Sequence, residues 1–116
     1  TGVNTRPGLL IDPDTRKPKL GFGTGGVSGS GLLPVGVLAT WKIRKAVTVP
    51  IMGVGGVGSA DDVLQYLLAG ASLVAIGTAA LKDPRVPARV VRDLERWCEA
   101  HSVNRLADMT GELQWQ

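Results

Sequence analysis

The sequence predicts an α/β fold built on parallel strands, and three observations lead to it. Two apolar segments, residues 47–53 and 73–77, are typical of buried strands. The stretch between them carries helical spacing and helix-end signals. Each strand also ends in glycine. A helix that joins neighbouring buried strands makes them parallel. Because so few strands would leave their edges exposed to solvent, we expect this chain to form part of a larger sheet or barrel.

The first 31 residues predict a hairpin followed by a loop. The hairpin spans residues 9–20, where Asp12–Thr15 provide turn chemistry between apolar Leu9–Ile11 and the returning segment Pro18–Leu20. Residues 21–31 are rich in glycine and predict a loop that is either mobile or wrapped closely around another group.

Two helices follow from capping signals and apolar spacing. Pro34 suits the first turn of a helix that ends near Ala46 and presents Val35, Leu38 and Trp41. In the second helix, Ser59 and Asp62 form a carboxylate variant of the capping box, and Gly70 stops it. Its apolar stripe consists of Val63, Leu64, Leu67 and Leu68.

The C-terminal part predicts one long helix and one short one. Asp83, Pro84 and Pro87 break the chain before the long helix. A last short helix is expected over residues 106–113. The apolar face expected for the long helix comprises Val90, Val91, Leu94, Trp97 and Cys98.

Glycines at the expected strand ends suggest a phosphate site. They occur in residues 25–29, in residues 53–58 and at Gly77, which Thr78 follows. Parallel α/β folds bind ligands at this end of the sheet, and unshielded N–H groups near a helix start hold phosphate without Lys or Arg. Glycines after strands can also simply make tight turns. The repetition of the pattern, with the Thr78 hydroxyl in place, favours phosphate binding.

A dinucleotide site of the Rossmann type is the first alternative. Gly53, Gly55 and Gly58 match its glycine spacing between a strand and a helix. The full pattern also needs a carboxylate at the end of the next strand to bind ribose, and here none occurs until Asp83. The absence of this carboxylate argues against a nicotinamide dinucleotide site and favours a barrel.

Composition argues against several other classes of protein and kinds of site. The basic residues behind the net charge of +3 are scattered, so we expect no nucleic-acid partner. The apolar runs reach about six residues, whereas a membrane helix needs about 20, so we expect no membrane span and a cytoplasmic protein. A single cysteine, Cys98, excludes an internal disulfide, and no metal site is expected.

Taken together, these motifs resemble the C-terminal part of dihydroorotate dehydrogenase, in particular the catalytic subunit of the NAD-linked class 1B. The resemblance covers essentially the whole chain, in order and with matching spacing. The segments that carry it are Asn4-Thr5 and residues 14–18, 25–29, 50–56, 69–72 and 77–79.

This resemblance implies a fold, a cofactor and a reaction. The family is an FMN-binding (β/α)8 barrel that oxidises dihydroorotate to orotate in pyrimidine biosynthesis, and residues 1–116 would form its C-terminal half. Asn4, through its amide, and Thr5 would contact the substrate. The positions that would contact FMN are Val3, Gly29, Gly55, Gly56, Gly77 and Thr78.

The family's catalytic base is a cysteine on a loop of the N-terminal half, so the resemblance implies no catalytic residue within these 116 residues. Cys98 suits a structural thiol, His101 a solvent-facing helix end, and Ser28 a hydrogen-bond donor in its loop. The class also implies a partner subunit with FAD and a 2Fe–2S cluster, in a heterotetramer that contains more than one copy of this chain. Two alternatives stay open: a dihydropyrimidine dehydrogenase-type FMN barrel, and a non-catalytic half-barrel that binds phosphate or FMN.

Overall fold

The structure is a computed structural model that describes residues 5–115. Within these residues four short strands come first, and two further strands then lie among four helices, with one 3-10 turn before the first helix and another near the C-terminus. Their order is β1 (Arg6–Gly8), β2 (Ile11–Asp12), β3 (Lys17–Pro18), β4 (Gly25–Val27), a 3-10 turn (Ser30–Leu32), α1 (Leu33–Ala46), β5 (Met52–Val54), α2 (Ala60–Leu68), β6 (Leu73–Ala75), α3 (Thr78–Lys82), α4 (Val86–Ala100) and a 3-10 turn (Leu106–Met109).

The strands pair two by two. β5 and β6 are parallel, with Met52 opposite Leu73, and α2 connects them. This confirms the predicted strand–helix–strand unit. β2 and β3 form the predicted antiparallel hairpin, in which Ile11 faces Pro18. The structure is therefore mixed α/β, with the parallel pair at its centre and the antiparallel pairs toward the N-terminus.

The prediction of an uninterrupted loop over residues 21–31 is wrong in its middle. β4 lies within that loop and pairs antiparallel with β1, with Gly26 opposite Pro7. Glycine is needed here because a Cβ atom on Gly26 would collide with the Thr5 side chain. The missing side chain at Gly26 leaves room for that of Thr5, and a glycine inside a strand often marks such a close approach.

The predicted strands are too long, and the prediction that they are buried is wrong for several of their side chains. Each spans only three residues, and Met52 and Leu73 are 58% and 59% exposed. Gly53, between Met52 and Val54, is buried. Within residues 5–115 no third strand pairs with β5 or β6, so each of the two strands has one unpaired edge.

Helix α2 begins and ends as predicted. The Ser59 hydroxyl accepts the Asp62 N–H at 3.3 Å, and the Asp62 carboxylate accepts the Ser59 N–H at 2.9 Å. After the helix, Gly70 adopts a φ of 109° and donates its N–H to the Leu67 carbonyl at 2.8 Å. These contacts satisfy backbone groups that a helix leaves unpaired at its two ends.

Helices α2 and α4 provide most of the hydrophobic core. Val91, which was expected on the buried face of α4, is instead 55% exposed. The long helix itself is confirmed, and Pro87 lies in its first turn instead of breaking it. The buried core residues are Val57, Ala60, Val63, Leu64, Tyr66, Leu67, Ala71, Val86, Val90 and Leu94.

Helix α1 has the predicted bounds but turns a different face to the core. Gly36 and Thr40 are buried, whereas Leu38, which was expected to pack inward, is 48% exposed. The reason is a neighbour on α2: a Cβ atom on Gly36 would collide with the hydroxyl of Tyr66. The smallest residue of α1 therefore faces the largest fully buried side chain within residues 5–115.

Tyr66 is fully buried and holds the loop after β5. Its hydroxyl donates to the carbonyl oxygens of Val54, at 3.0 Å, and Gly55, at 2.9 Å. Gly53 lies against the ring, where a Cβ atom would also collide. The ring thus occupies a slot between α1 and β5 that exists because Gly36 and Gly53 lack side chains.

The C-terminal segment crosses α2 and reaches back to α1. The predicted last helix over residues 106–113 is reduced to a four-residue 3-10 turn. Beyond it, Gly111 and Leu113 donate N–H groups to the carbonyls of Leu67 and Leu68. This places the Trp115 ring against that of Trp41, with centroids 4.6 Å apart.

No helix within residues 5–115 combines the length and the apolar character that crossing a bilayer would require.

Replacing Tyr66 by Phe should lower the free energy of unfolding by about 1–2 kcal/mol, because the carbonyls of Val54 and Gly55 lose their donor while the ring stays in place. Urea denaturation of the full chain and of the Tyr66→Phe variant measures the difference. Gln65→Ala, an exposed change on the same helix, is the matched control. Equal stability of the Phe variant and the wild type would contradict the role assigned to this hydroxyl.

The free energies of unfolding of the wild type and of Tyr66→Phe should become more similar at alkaline pH. Burial raises the pKa of the Tyr66 hydroxyl above its ordinary value of 10.0, and the Asp62 carboxylate raises it further. A pKa raised on folding stabilises the protein below the unfolded-state pKa, and that stabilisation is lost as pH rises through the folded-state pKa. The stability of the wild type should therefore fall toward that of Tyr66→Phe above about pH 10. A difference that stays constant across this range would argue against the assignment.

Candidate functional site

A cleft of about 470 Å³ opens where the loops after β4, β5 and β6 meet. The loops after β5 and β6 come together because the two strands are parallel and end on the same edge. Two of its lining residues, Val54 and Gly55, accept hydrogen bonds from the buried Tyr66 hydroxyl. Its lining residues are Thr5, Ser28, Gly29, Ser30, Leu32, Val54, Gly55, Gly56, Val57, Gly58, Gly77, Thr78, Ala79 and Lys82.

The structure brings together the candidate site residues that it describes. Five of the positions predicted to contact FMN line the cleft, and Thr5, predicted to contact the substrate, lines it as well. Val3 and Asn4, the other two predicted site residues, lie outside the described residues. The five are Gly29, Gly55, Gly56, Gly77 and Thr78.

The cleft glycines are required for different reasons. Gly55 and Gly56 adopt φ values of 120° and 75°, in the left-handed region that favours glycine. At Gly56 a Cβ atom would also lie 2.8 Å from the Cα atom of Leu33. At Gly77, by contrast, a Cβ atom would meet no protein atom within 4 Å. Packing within the protein therefore explains Gly56, whereas at Gly77 the missing side chain leaves the backbone open to the cleft.

The start of α2 offers less to an anion than the sequence suggests. The Asp62 carboxylate accepts the N–H groups of both Gly58 and Ser59, each at 2.9 Å. This carboxylate already occupies the position that a phosphate would take at the helix N-terminus. Other candidate donors in the loops after β5 and β6 are the N–H groups of residues 55–57, Gly77 and Thr78, together with the Thr78 hydroxyl.

Lys82 is the only ionisable side chain among the lining residues, and sequence reasoning missed it. The chain was expected to turn after Gly77 and break at Asp83, whereas residues 78–82 form the helix α3. The available signal was the spacing: Lys82 follows Thr78 by four residues, which puts both on one face of a helix.

The neighbouring carboxylate, Asp83, is bound to other residues. It forms ion pairs with Arg85 at 2.9 Å and Arg89 at 3.5 Å. Hydrogen bonds from the Arg85 side chain and backbone, followed by the contact with Arg89, hold the pKa of Asp83 below its ordinary value. None of the ion pairs formed within residues 5–115 involves Lys82.

The remaining candidates from the sequence occupy different places. Ser28 lines the cleft, as its reading as a loop donor requires. Cys98 is half-buried on α4, and His101, one residue beyond that helix, stacks on Trp97 with ring centroids 4.2 Å apart. Neither Cys98 nor His101 lines the cleft.

Comparison with known proteins identifies relatives of this chain. A family model described as dihydroorotate dehydrogenase matches residues 1–97. The catalytic subunit of dihydroorotate dehydrogenase B (NAD(+)) from Pelobacter propionicus is 43% identical over 112 residues, and a putative dihydroorotate dehydrogenase A (fumarate) from Solibacter usitatus is 37% identical over 113. Each alignment covers 97% of this chain, but the chain spans only 37% of the length of either relative.

The fold is also similar to a solved structure. The crystal structure of DHODH from Eimeria tenella in complex with ferulenol superimposes with a TM-score of 0.75 at 24% identity, over 96% of this chain and 30% of that one. At this identity the likeness shows the fold alone. The family match and the bacterial relatives show more: this chain belongs to the dihydroorotate dehydrogenase family.

Proposed function

We propose that residues 1–116 are the C-terminal half of an FMN-binding (β/α)8 barrel that oxidises dihydroorotate to orotate in pyrimidine biosynthesis. The observation that carries the proposal is the single cleft lined by Gly29, Gly55, Gly56, Gly77 and Thr78. The names of the relatives support the substrate. In this proposal, polypeptide beyond these residues provides the other strands of the barrel and the cysteine base.

The cleft suits a flavin mononucleotide in three respects. Its volume of about 470 Å³ is in the usual range for a small-molecule site. It offers backbone N–H groups and the Thr78 hydroxyl, which are the donors a phosphate needs. Its one ionisable lining residue, Lys82, is a cation. When bound, FMN would supply the acceptor for the hydride that leaves dihydroorotate.

In this proposal the residues of the chain bind and orient. The glycine loops and Thr78 would hold the phosphate, while Asn4 and Thr5 would contact dihydroorotate and Val3 would pack at the flavin ring. The buried Tyr66 would act one layer below, because it holds the Val54 and Gly55 carbonyls and so sets the path of the loop.

The proposal extends to partners. Several relatives are named as catalytic subunits, which supports a separate electron-transfer subunit. We propose that this subunit carries FAD and a 2Fe–2S cluster, that the assembly contains more than one copy of this chain, and that it works in the cytoplasm. Because one relative at 37% identity is named for fumarate, fumarate should be tested beside NAD as the final electron acceptor.

Purified with its complete barrel, the protein should be yellow, and dihydroorotate should bleach the visible flavin absorbance under anaerobic conditions. Dihydrouracil serves as the comparison substrate. Bleaching by dihydrouracil instead would favour the dihydropyrimidine dehydrogenase-type barrel. Bound FMN that neither compound reduces would favour the non-catalytic alternative, and a colourless protein that takes up no FMN would refute flavin binding altogether.

Removing the Thr78 hydroxyl should weaken FMN binding by about ten- to a hundredfold, because a hydrogen bond to a charged group contributes about 1.5–3 kcal/mol. The Kd of the Thr78→Ala variant is measured by quenching of flavin fluorescence. Thr78→Ser, which retains the hydroxyl, is the matched control and should bind FMN nearly as well as the wild type. Because Thr78 is exposed, neither change should alter the melting temperature of the apoprotein appreciably. Unchanged FMN affinity in Thr78→Ala would remove Thr78 from the proposed site.

A further inference from the structure

We propose that Lys82 supplies the positive charge that offsets the phosphate of the bound cofactor and thereby favours a phosphorylated flavin over an unphosphorylated one. This inference rests on the proposed function, since it assigns a residue to the phosphate end of the same cleft. It adds a charged side chain to a site that the sequence motifs describe only through glycines and one hydroxyl.

The geometry of α3 directs Lys82 toward that end. Lys82 is the last residue of the helix and Thr78 the first, so the two lie four residues apart on one face. Long side chains on a helix lean back toward its N-terminus and cover the preceding turn. This lean would carry the Lys82 side chain toward Thr78 and Gly77, and all three residues line the cleft.

The charges around the cleft give Lys82 its importance. A phosphate monoester carries a charge of about −1.5 to −2 near neutral pH. The first turn of α2 bears Asp61 and Asp62. The Asp62 carboxylate accepts hydrogen bonds from the N–H groups of Gly58 and Ser59 beside the cleft. These carboxylates weaken the attraction that the helix start would otherwise exert on an anion. A cation among the lining residues offsets them.

Lys82 is also available for this role. The adjacent carboxylate, Asp83, forms ion pairs with Arg85 and Arg89. Lys82 is exposed, and no ion pair described within residues 5–115 engages it. Its ammonium group can therefore reach an anion in the cleft without breaking an existing ion pair.

The test compares FMN with riboflavin, which lacks the phosphate, in the protein with its complete barrel. The Kd of each flavin is measured by fluorescence quenching for the wild type, Lys82→Gln, Lys82→Arg and Lys42→Gln. Lys42 is the matched control because it is exposed on α1 and does not line the cleft. Repeating the FMN titrations at several salt concentrations reports the electrostatic contribution, because salt screens exposed charges.

We expect Lys82→Gln to raise the Kd of FMN about fivefold, at the upper end of what an exposed ion pair contributes, and to make that Kd less dependent on salt. The Kd of riboflavin should not change, Lys82→Arg should retain FMN affinity, and Lys42→Gln should behave as the wild type.

Two results would overturn the inference while leaving the proposed function intact. One is an unchanged preference for FMN over riboflavin in Lys82→Gln. The other is an equal loss of FMN affinity in Lys82→Gln and Lys42→Gln, which would point to net charge and not to a local contact. A wild-type protein that binds neither flavin would instead refute the proposed function itself.

Discussion

The hydrogen bonds from the buried Tyr66 hydroxyl to the carbonyls of Val54 and Gly55 are the contact on which the rest of the structure depends. They connect α2, which supplies the tyrosine, to the loop that leaves β5 and lines the cleft. Polar groups in the interior must find partners, and here one hydroxyl serves two carbonyls. The buried core beneath the loop therefore holds it.

The same tyrosine explains the distribution of glycine around it. Gly36 on α1 and Gly53 on β5 leave space for the ring, and neither contributes to the cleft. Gly55 and Gly56 turn the chain with positive φ values, whereas Gly77 leaves open space beside the cleft. A glycine-rich chain of this kind thus combines three uses: clearance for a large side chain, backbone conformation, and access to a ligand.

The cleft unites elements that are far apart in the chain. Thr5, Gly29, the loop of residues 55–58 and the start of α3 contribute to it together. Its electrostatics come from contacts within these elements. Asp62 closes the start of α2, Arg85 and Arg89 hold Asp83, and Lys82 remains as the cation among the lining residues. The site is thus less positive at the helix start, and more positive at α3, than its glycine pattern suggests.

Sequence alone determined the local features of this protein. The ends of α2, the bounds of α1, the hairpin of β2 and β3 and the parallel pair of β5 and β6 follow from caps, turn residues and apolar periods, which act over a few neighbouring residues. The glycines and the threonine that now share one cleft were also found in this way. Tertiary structure alone decided the rest: which face α1 buries, that residues 25–27 pair with β1, and that Lys82 reaches the cleft. Each of these depends on a partner distant in sequence or on a helix without its own capping signal, and short-range patterns carry no information about such contacts.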